Sequence, residues 1–474
     1  MQGDFYKGED LGASYSKTNT TFRIWAPTAD GVSLCLYERG DGACLMDEAP
    51  MKRDVQGTWL LKKSGDLDKI YYTYKITRNG KMVETQDPYS LATGVNGQRS
   101  MVLDLKKTDP KGFAEDKGPQ VKSKTDMVIC EISVADITGD SSSNVKHPGK
   151  FLGLAEEGTK NARGQATGLD YLKQLGITHV QIMPAFDFAS IDESHPEIVQ
   201  YNWGYDPVNY NVPEGSYSTD AFRGEVRIRE MKEMVAALHK AGIGVIMDVV
   251  YNHMFDAKQS CFEKAEPDYF FRKKNGQYSD ASACGNEVAS EHPMVRRYIV
   301  DSVCYWAKEY HMDGFRFDLM GVLDTETMQE LGERLKEINP SIVLYGEGWT
   351  GGASVLPEYR RAMKKNERMF ENVGMFSDDI RDNVRGHVFY EEACGFVNGG
   401  QNLENAIRYS VAGAVWHPQV DYASYSYTQG GSWAAKPEDT ISYVSCHDNL
   451  ILWDKLAVSR PDCSVDERYA INRL

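Results

Sequence analysis

Four short segments of this chain each carry ionisable side chains at the end of an apolar, strand-like run. The four segments are DVVYNH (248–253), GFRFDLMG (314–321), LYGEGW (344–349) and YVSCHDN (443–449). In a barrel of parallel strands, catalytic groups lie at the carboxyl ends of different strands, where the following loops converge. We therefore predict one cleft that collects the side chains of Asp248, His253, Arg316, Asp318, Glu347, His447 and Asp448.

From residue 126 onward, the alternation of short apolar runs with amphipathic stretches predicts repeated β-α-β units and a parallel sheet. Seven candidate strands can be counted: MVICEISV, THVQIMP, GIGVIMDVV, DGFRFD, IVLYGEG, a weak one near 372–376, and TISYVSC. A closed barrel of this type has eight strands, and the chain stops at Leu474, in the helix expected after the seventh strand. We therefore expect a (β/α)8 TIM-type barrel that is truncated before its eighth strand.

A separate all-β sandwich domain is predicted for residues 1–108. TFRIWAP and GVSLCLYE alternate apolar and polar positions, and Asn79-Gly80 is a strong hairpin signal. The stretch 109–125 is rich in Lys, Asp, Gly and Pro and is predicted to be a linker. The barrel would then occupy 126–474, with the polar stretch 254–292 as an insert that forms a lid or small subdomain.

Charge and cysteine usage exclude several classes of partner. With 53 Lys and Arg against 69 Asp and Glu, the net charge is −16 and no basic block is present, which argues against nucleic acid and favours a neutral ligand. No apolar run reaches the ~20 residues of a membrane span. The nine cysteines are scattered without CxxC spacing, so no zinc site is predicted and reduced thiols are favoured. MQGDFYKGED is no signal peptide, so we expect a cytoplasmic enzyme unless an upstream leader has been removed.

The residues around two of the strand ends suggest a pair of catalytic carboxylates. Arg316 lies two residues before Asp318 and hence on the same strand face, where it would keep Asp318 anionic as a nucleophile requires. Glu347 precedes Trp349, and an apolar aromatic wall raises the pKa of a general acid. Taken alone, Asp318 is better explained as a helix cap in a structural ion pair, and Glu347 as an ordinary loop glutamate. Together they match the two carboxylates of a retaining glycosidase, about 5–5.5 Å apart.

The four segments resemble the signature regions of the α-amylase clan, glycoside hydrolase family 13. A fifth segment, YNWGYDP (201–207), resembles the motif of its type I pullulanase branch, the α-1,6 debranching enzymes. The resemblance covers essentially the whole chain, since the N-terminal domain looks like the starch-binding-type module of debranching and branching enzymes. It departs from the pattern in the first strand, where Ser133 and Ala135 replace a histidine and a basic residue.

The resemblance implies roles for individual residues. Asp318 would be the nucleophile, Glu347 the acid/base and Asp448 the transition-state stabiliser. The residues implied to bind or orient substrate are Tyr205, which would stack on the sugar being cleaved, Asp248, His253, Arg316, Trp349, His447 and Asn449. The implied partner is a branched α-glucan such as pullulan, amylopectin or glycogen, and no cofactor is required.

Alternative functions and one ion remain open at this point. Within the enzyme class, an isoamylase-like or branching transglycosylase of the same clan is the second interpretation. From a different class, the chain could be a catalytically impaired glycan-binding fragment. Asp and Glu oxygens in 254–292 could hold a structural calcium ion.

Overall fold

In the computed structural model, which describes residues 5–424 and 431–474, the first nine strands form an antiparallel β-sandwich. Strands β1, β2, β6 and β5 form one sheet, and β4, β3, β7 and β8 form the other, with β9 added to β7. The apolar faces of both sheets contribute to one buried cluster that includes Phe22, Trp59 and Tyr74. The strands are β1 (Gly12–Ser16), β2 (Asn19–Trp25), β3 (Gly31–Tyr37), β4 (Leu45–Pro50), β5 (Lys52–Arg53), β6 (Thr58–Ser64), β7 (Tyr71–Arg78), β8 (Lys81–Thr85) and β9 (Ser100–Met101).

The predicted hairpin turn joins β7 to β8. Asn79 and Gly80 both have positive φ, at 47° and 73°, between the paired residues Arg78 and Lys81. Positive φ at both central positions defines the turn whose twist matches the flanking strands, and Asn-Gly adopts it at little cost. The sandwich and this turn are confirmed.

Residues 109–125 pack against helices of the second part of the chain. The ammonium of Lys232, which is fully buried, lies 2.6 Å from Asp109 Oδ1 and 2.5 Å from Glu309 Oε1. His239 lies between two carboxylates, 2.7 Å from Asp116 Oδ2 and 2.8 Å from Asp313 Oδ2. These buried ion pairs hold the segment in a defined path.

The second part of the chain is built around a curled sheet of seven parallel strands. Their order is β10, β11, β14, β17, β18, β19 and β20, so neighbours in the sheet follow one another along the chain. This order, and the count of seven, confirm the sequence prediction of a TIM-like barrel without an eighth strand among the described residues. The strands are β10 (Ile129–Ile132), β11 (His179–Ile182), β12 (Phe186–Phe188), β13 (Pro207–Pro213), β14 (Gly244–Val249), β15 (Lys273–Lys274), β16 (Gln277–Tyr278), β17 (Gly314–Phe317), β18 (Val343–Gly346), β19 (Gly374–Phe376) and β20 (Thr440–Ile441).

Helices cover the outside of this sheet. Helix α2 (Gly168–Leu175) ends on Gly176 at φ 68°, as a helix-terminating glycine does. The helices are α1 (Val134–Gly139), α2 (Gly168–Leu175), α3 (Gly224–Lys240), α4 (Cys261–Ala265), α5 (Pro293–Glu309), α6 (Thr325–Ile338), α7 (Asp378–Arg385), α8 (Glu404–Val411), α9 (Leu452–Ser459) and α10 (Val465–Arg473).

Burial follows position in the sheet. Every residue of β11, β14, β17, β18 and β19 is buried, as expected for parallel strands covered on both faces. The strands at the two ends of the sheet, β10 and β20, are mostly half-buried. No helix within 5–424 or 431–474 combines the length and the apolar character that crossing a membrane would require.

The stretch 254–292 holds α4 and the small β15–β16 hairpin. It contacts the β-sandwich: Arg78 Nη1 donates to the carbonyl of Lys264 at 3.0 Å, and Thr28 Oγ1 donates to Glu266 Oε2 at 2.9 Å. The sandwich, the insert and the sheet therefore pack as neighbours.

Candidate active site

The carboxyl ends of three adjacent strands place an arginine among three carboxylates. Parallel pairing sets Arg316 of β17 beside Asp248 of β14, and Asp318 and Glu347 directly follow β17 and β18. Arg316 Nη1 lies 2.9 Å from Asp248 Oδ1 and 3.0 Å from Asp318 Oδ1, and its Nη2 lies 2.7 Å from Glu347 Oε1. One buried guanidinium therefore fixes three acidic side chains that are far apart in sequence. The sequence analysis predicted this clustering.

Asp318 is held through both of its carboxylate oxygens. Besides Arg316, Asn252 Nδ2 donates to Asp318 Oδ2 at 2.7 Å and to its backbone carbonyl at 3.0 Å. Asn252 is fully buried at the end of the DVVYNH segment. The sequence analysis did not select it, although its place beside His253 was a signal that could have done so.

Glu347 is buried and receives two hydrogen bonds. Arg316 donates to Oε1, and the backbone N–H of Leu319 donates to Oε2 at 2.8 Å. Leu319 adopts a left-handed conformation at φ 39° to present this N–H, a cost that non-glycine residues accept mainly at functional sites. Burial raises the pKa of Glu347 to about 7; the charge of Arg316 opposes the rise and the charge of Asp318 adds to it. A carboxyl group with this pKa can hold a proton near neutral pH and deliver it.

Asp248 and Tyr205 form the floor of the cluster. The hydroxyl of Tyr205 donates to Asp248 Oδ2 at 2.7 Å. Burial raises the pKa of Asp248 to about 7, against the lowering effect of Arg316. His253 contacts the backbone of the same tyrosine, since its Nε2 lies 2.9 Å from the Tyr205 carbonyl oxygen.

The loop that follows β20, the last strand of the sheet, supplies His447. Its ring is stacked on Tyr205, with 4.9 Å between ring centroids and an interplanar angle of 22°. Glu131 Oε2 accepts the backbone N–H of His447 at 2.6 Å, and Oε1 lies 2.9 Å from its Nδ1. Burial alone lowers the pKa of His447, but the hydrogen bond and charge of Glu131 outweigh burial and raise it.

Glu131 was missed in the sequence analysis. It lies in β10, next to the strand's last residue, so the rule that selected the other strand ends would have found it. Its Oε1 also accepts from Gln181 Nε2 at 2.9 Å, and Gln181 Oε1 accepts the Tyr345 hydroxyl at 2.6 Å. This chain of hydrogen bonds crosses the sheet interior and ties the first strand to the loop that follows the last.

Three predicted residues lie at the edge of the site. Asp448 is exposed, with its Oδ1 3.6 Å from His447 Nε2. Asn449 is exposed with φ 59°, and no described hydrogen bond joins its side chain to the cluster. Trp349 is half-buried beside the acid-bearing loop, where its carbonyl accepts the N–H of Gly321 at 3.1 Å. The geometry brings His447 and Asp448 to the same cleft but leaves Asp448 open for a ligand.

Lys364 is a third residue that sequence reasoning missed, after Asn252 and Glu131. It is 3% exposed, and its ammonium pairs with Asp378, lies 3.9 Å from Asp379 and stands 5.6 Å from the ring centroid of Trp349. Its backbone N–H also donates to the Gly348 carbonyl at 3.2 Å. Lys364 therefore supports the loop of Glu347 from below. Its own segment shows no strand-end pattern, so only the packing reveals it.

Carboxylates close enough to share one cation occur among the described residues at Asp187, Glu193 and Glu214, outside the 254–292 insert. All three are buried, and the guanidinium of Arg227 already contacts two of them, at 3.2 Å from Asp187 Oδ1 and 2.8 Å from Glu193 Oε2. Burial and the neighbouring Glu193 raise the pKa of Asp187 to about 7, which limits the negative charge that this group must carry. A calcium ion in the insert stays a prediction.

Two family models match the chain in the order that the fold shows. Residues 10–90 match carbohydrate-binding module 48, the isoamylase N-terminal domain, and residues 146–287 match the α-amylase catalytic domain. With the strand-end carboxylates around Arg316, the fold and the site are those of the α-amylase clan.

Comparison with individual proteins narrows the class. The chain is 36% identical to the pullulanase of Bacillus subtilis over 99% of its own length and 63% of that protein, and 32% identical to pullulanase A of Streptococcus pneumoniae over 98% and 36%. It thus spans less than two thirds of the length of either of these relatives.

Solved structures give the same class. The crystal structure of Paenibacillus barengoltzii pullulanase with maltohexaose and alpha-cyclodextrin superposes with a TM-score of 0.95 at 46% identity, covering 100% of this chain and 72% of that one. The Bacillus acidopullulyticus pullulanase gives 0.93 at 43% identity, covering 100% and 56%. The chain therefore belongs to the type I pullulanase family of glycoside hydrolase family 13.

Proposed function

We propose that the protein hydrolyses α-1,6-glucosidic branch linkages of pullulan, amylopectin or glycogen with retention of the anomeric configuration. The observation that carries the proposal is the single guanidinium of Arg316 that orients Asp248, Asp318 and Glu347 at three strand ends. Crystal structures of family members hold maltohexaose, maltotriose or maltotetraose, which supports a glucan as the ligand.

In the proposed mechanism Asp318 is the nucleophile. Its position is fixed by Arg316 and Asn252, so little reorganisation precedes attack on the anomeric carbon. The covalent glycosyl-enzyme then forms as the glycosidic oxygen departs. Because Asp318 and Glu347 share one guanidinium, they face the same small volume, and we predict the separation of about 5–5.5 Å that a retaining enzyme needs.

Glu347 is the acid/base in this mechanism. Its pKa of about 7 allows it to protonate the departing oxygen and then to accept a proton from the water that hydrolyses the intermediate. Asp448 is proposed to stabilise the positive charge that develops on the sugar ring, since it lies exposed beside His447. Tyr205, Asp248, His253, His447 and Asn449 would hold the sugar ring at the cleavage position, and Trp349 would line the leaving-group side.

Two isosteric substitutions test these roles. Glu347→Gln should reduce kcat by at least about 10²–10⁴-fold, the contribution of a positioned proton donor. Asp318→Asn removes the nucleophile and should nearly abolish turnover. Both variants should still bind maltotriose. Glu333→Gln, an exposed carboxylate on α6, is the matched control and should leave kcat unchanged.

Proton NMR of fresh product should show the α-anomer first. Appearance of the β-anomer first, or substantial turnover by either variant, would show that the roles are misassigned.

Bound glucan without any turnover by the parent protein would favour the glycan-binding alternative.

We also propose a cytoplasmic location, supported by nine cysteines that are all free thiols.

A further inference from the structure

A chain of buried hydrogen bonds leads from Tyr345 in β18 to His447 in the loop after β20. The Tyr345 hydroxyl donates to Gln181 Oε1 at 2.6 Å, and Gln181 Nε2 donates to Glu131 Oε1 at 2.9 Å. The same Glu131 oxygen lies 2.9 Å from His447 Nδ1. Gln181 and Tyr345 are only 4% and 2% exposed, so they can act on a ligand only through other residues. The mechanism proposed above gives neither of them a role.

The hydroxyl of Tyr345 is a fixed donor at the start of this chain. Burial raises the pKa of Tyr345 well above its ordinary value of 10, so the hydroxyl keeps its proton across the neutral range. The ring packs edge-to-face against Phe376, with 5.5 Å between the ring centroids. This packing holds the hydroxyl against Gln181 Oε1.

The amide of Gln181 can take only one orientation. Burial acts to raise the pKa of Glu131, but the hydrogen bond and charge of His447 outweigh burial and lower it, so Glu131 is ionised at neutral pH. The reverse orientation would place the amide oxygen of Gln181 against this carboxylate, and two acceptors cannot form a hydrogen bond. Tyr345 and Glu131 together therefore fix the amide, with its nitrogen on Glu131.

The proton of the His447 ring is fixed on Nδ1 by two acceptors. One acceptor is Glu131 Oε1. The other is the hydroxyl oxygen of Tyr205, which lies 3.3 Å from Nδ1 and donates its own proton to Asp248 Oδ2. Because both neighbours can only accept from Nδ1, this nitrogen carries a proton in the neutral ring as well as in the charged ring.

Gln181 and His447 compete for one oxygen of Glu131. Each places a nitrogen 2.9 Å from Oε1. A hydrogen bond to the charged form of a carboxylate stabilises that form and makes the group less basic. Gln181 therefore weakens the attraction of Glu131 for a charged His447 ring, and Tyr345 strengthens this effect because it polarises the amide.

Four charged or titratable groups face the His447 ring. Burial lowers the pKa of His447, as does the charge of Arg316 in β17, whereas Glu131 in β10 and Asp448 in the same loop raise it, and the net change is a rise. The fourth group is Tyr205, stacked on the ring. Because Nδ1 keeps its proton, the ring gains and loses charge at Nε2, which lies 3.6 Å from Asp448 Oδ1. A charged ring there would oppose the positive charge that develops on the sugar.

We propose that Gln181 and Tyr345 are positioning residues, which act through Glu131 to keep the His447 proton on Nδ1 and to limit the charge of the ring during cleavage. The proposal rests on the function proposed above, in which His447 holds the sugar at the cleavage position. Gln181 has the direct effect, and Tyr345 acts only by orienting and polarising Gln181.

NMR titration of His447 tests the proposal without substrate. Gln181→Met keeps the length of the side chain but removes the amide, so the His447 pKa should rise by about 0.5–1, the size of one neutral hydrogen bond. Tyr345→Phe deletes a single oxygen atom and should cause a smaller rise. In the Gln181→Met background it should cause no further rise, since Tyr345 then has nothing to act through. Tyr72→Phe, which removes an equally buried hydroxyl from Asp87 in the β-sandwich, is the matched control and should leave the His447 pKa unchanged.

Steady-state kinetics on pullulan measure the effect on the reaction. Near neutral pH, Gln181→Met should lower kcat by about two- to tenfold, because the His447 ring is charged in a larger fraction of the variant than of the parent protein. The ratio of the two kcat values should return toward one as the pH rises and both rings become neutral. A purely structural defect would lower kcat by the same factor at every pH.

Two results would overturn the proposal. One is a His447 pKa that falls or stays unchanged in both Gln181→Met and Tyr345→Phe. The other is a parent protein in which nitrogen-15 chemical shifts place the proton of the neutral His447 ring on Nε2. A His447 pKa that rises as expected, in a protein that cleaves no α-1,6 linkage, would instead refute the proposed function and leave the positioning of His447 intact.

Discussion

Glu131→Gln tests whether the first strand positions His447 for catalysis. The substitution keeps the shape of the side chain but removes the negative charge that His447 contacts twice, at 2.6 Å through its backbone N–H and at 2.9 Å through Nδ1. A hydrogen bond to a charged group contributes about 1.5–3 kcal/mol. If that energy holds the His447 ring against Tyr205 in the substrate-bound state, kcat/KM should fall by about 10–100-fold.

The sign of the pH effect follows from the two pKa shifts. The pKa of His447 is raised above its ordinary 6.5 because Glu131 outweighs burial, and the pKa of Glu131 is lowered below its ordinary 4.5 because His447 outweighs burial. The stabilisation from His447 is complete below its unfolded pKa and is lost as pH rises through its raised pKa. The stabilisation from Glu131 is complete above the pKa of Glu131 in the unfolded chain, and it is lost as pH falls through the lowered pKa of the folded state. The pair therefore stabilises the fold fully between about pH 4.5 and 6.5.

NMR titration measures the pKa of His447, and steady-state kinetics measure kcat/KM, in Glu131→Gln and in the parent protein. In Glu131→Gln the His447 pKa should move down, since burial then acts without the opposing charge, and kcat/KM should fall. Glu156→Gln is the control: its Oε1 lies at the same 2.9 Å from the Nδ1 of a more exposed histidine, His147. That variant should leave kcat/KM unchanged. A parent-like His447 pKa and parent-like kinetics in Glu131→Gln would refute a positioning role for this strand.

Three further outcomes are expected. Above pH about 7, kcat/KM should fall about tenfold per pH unit as the proton of Glu347 is lost, and a rate that stays flat to alkaline pH would exclude this residue as the acid. Lys364→Met should lower the free energy of unfolding by about 3–5 kcal/mol in denaturant titrations because it removes the buried cation that pairs with Asp378; a loss below about 1 kcal/mol would show that this ion pair is dispensable. Dialysis against a chelator should leave activity intact, whereas a loss restored by calcium would show that a structural calcium ion is required.

Most of the barrel and the centre of the site could be predicted because both depend on local pattern. The strand-end carboxylates stand out in the sequence since apolar runs that end in Asp248, Asp318 and Glu347 are typical of the catalytic edge of a parallel sheet. The hairpin at Asn79-Gly80 could also be predicted from the sequence, because few residue pairs adopt positive φ at two successive positions.

Other residues of the site could not be recognised in this way. Glu131 follows the strand-end rule but pairs with a residue 316 positions away, and no local pattern reports such a partner. Lys364 has no motif at all, and its importance comes from burial beside Trp349 and two aspartates.

The sequence by itself determined the order of the elements, the two-part architecture and the strand-end carboxylates that meet in the candidate site, because periodicity and strand-end residues can be recognised from consecutive positions. Only the tertiary structure decided which charges meet. Arg316 faces three carboxylates, and the pKa of Glu347 rises to about 7. Burial and distance set each of these effects, and both quantities exist only after distant segments have packed together.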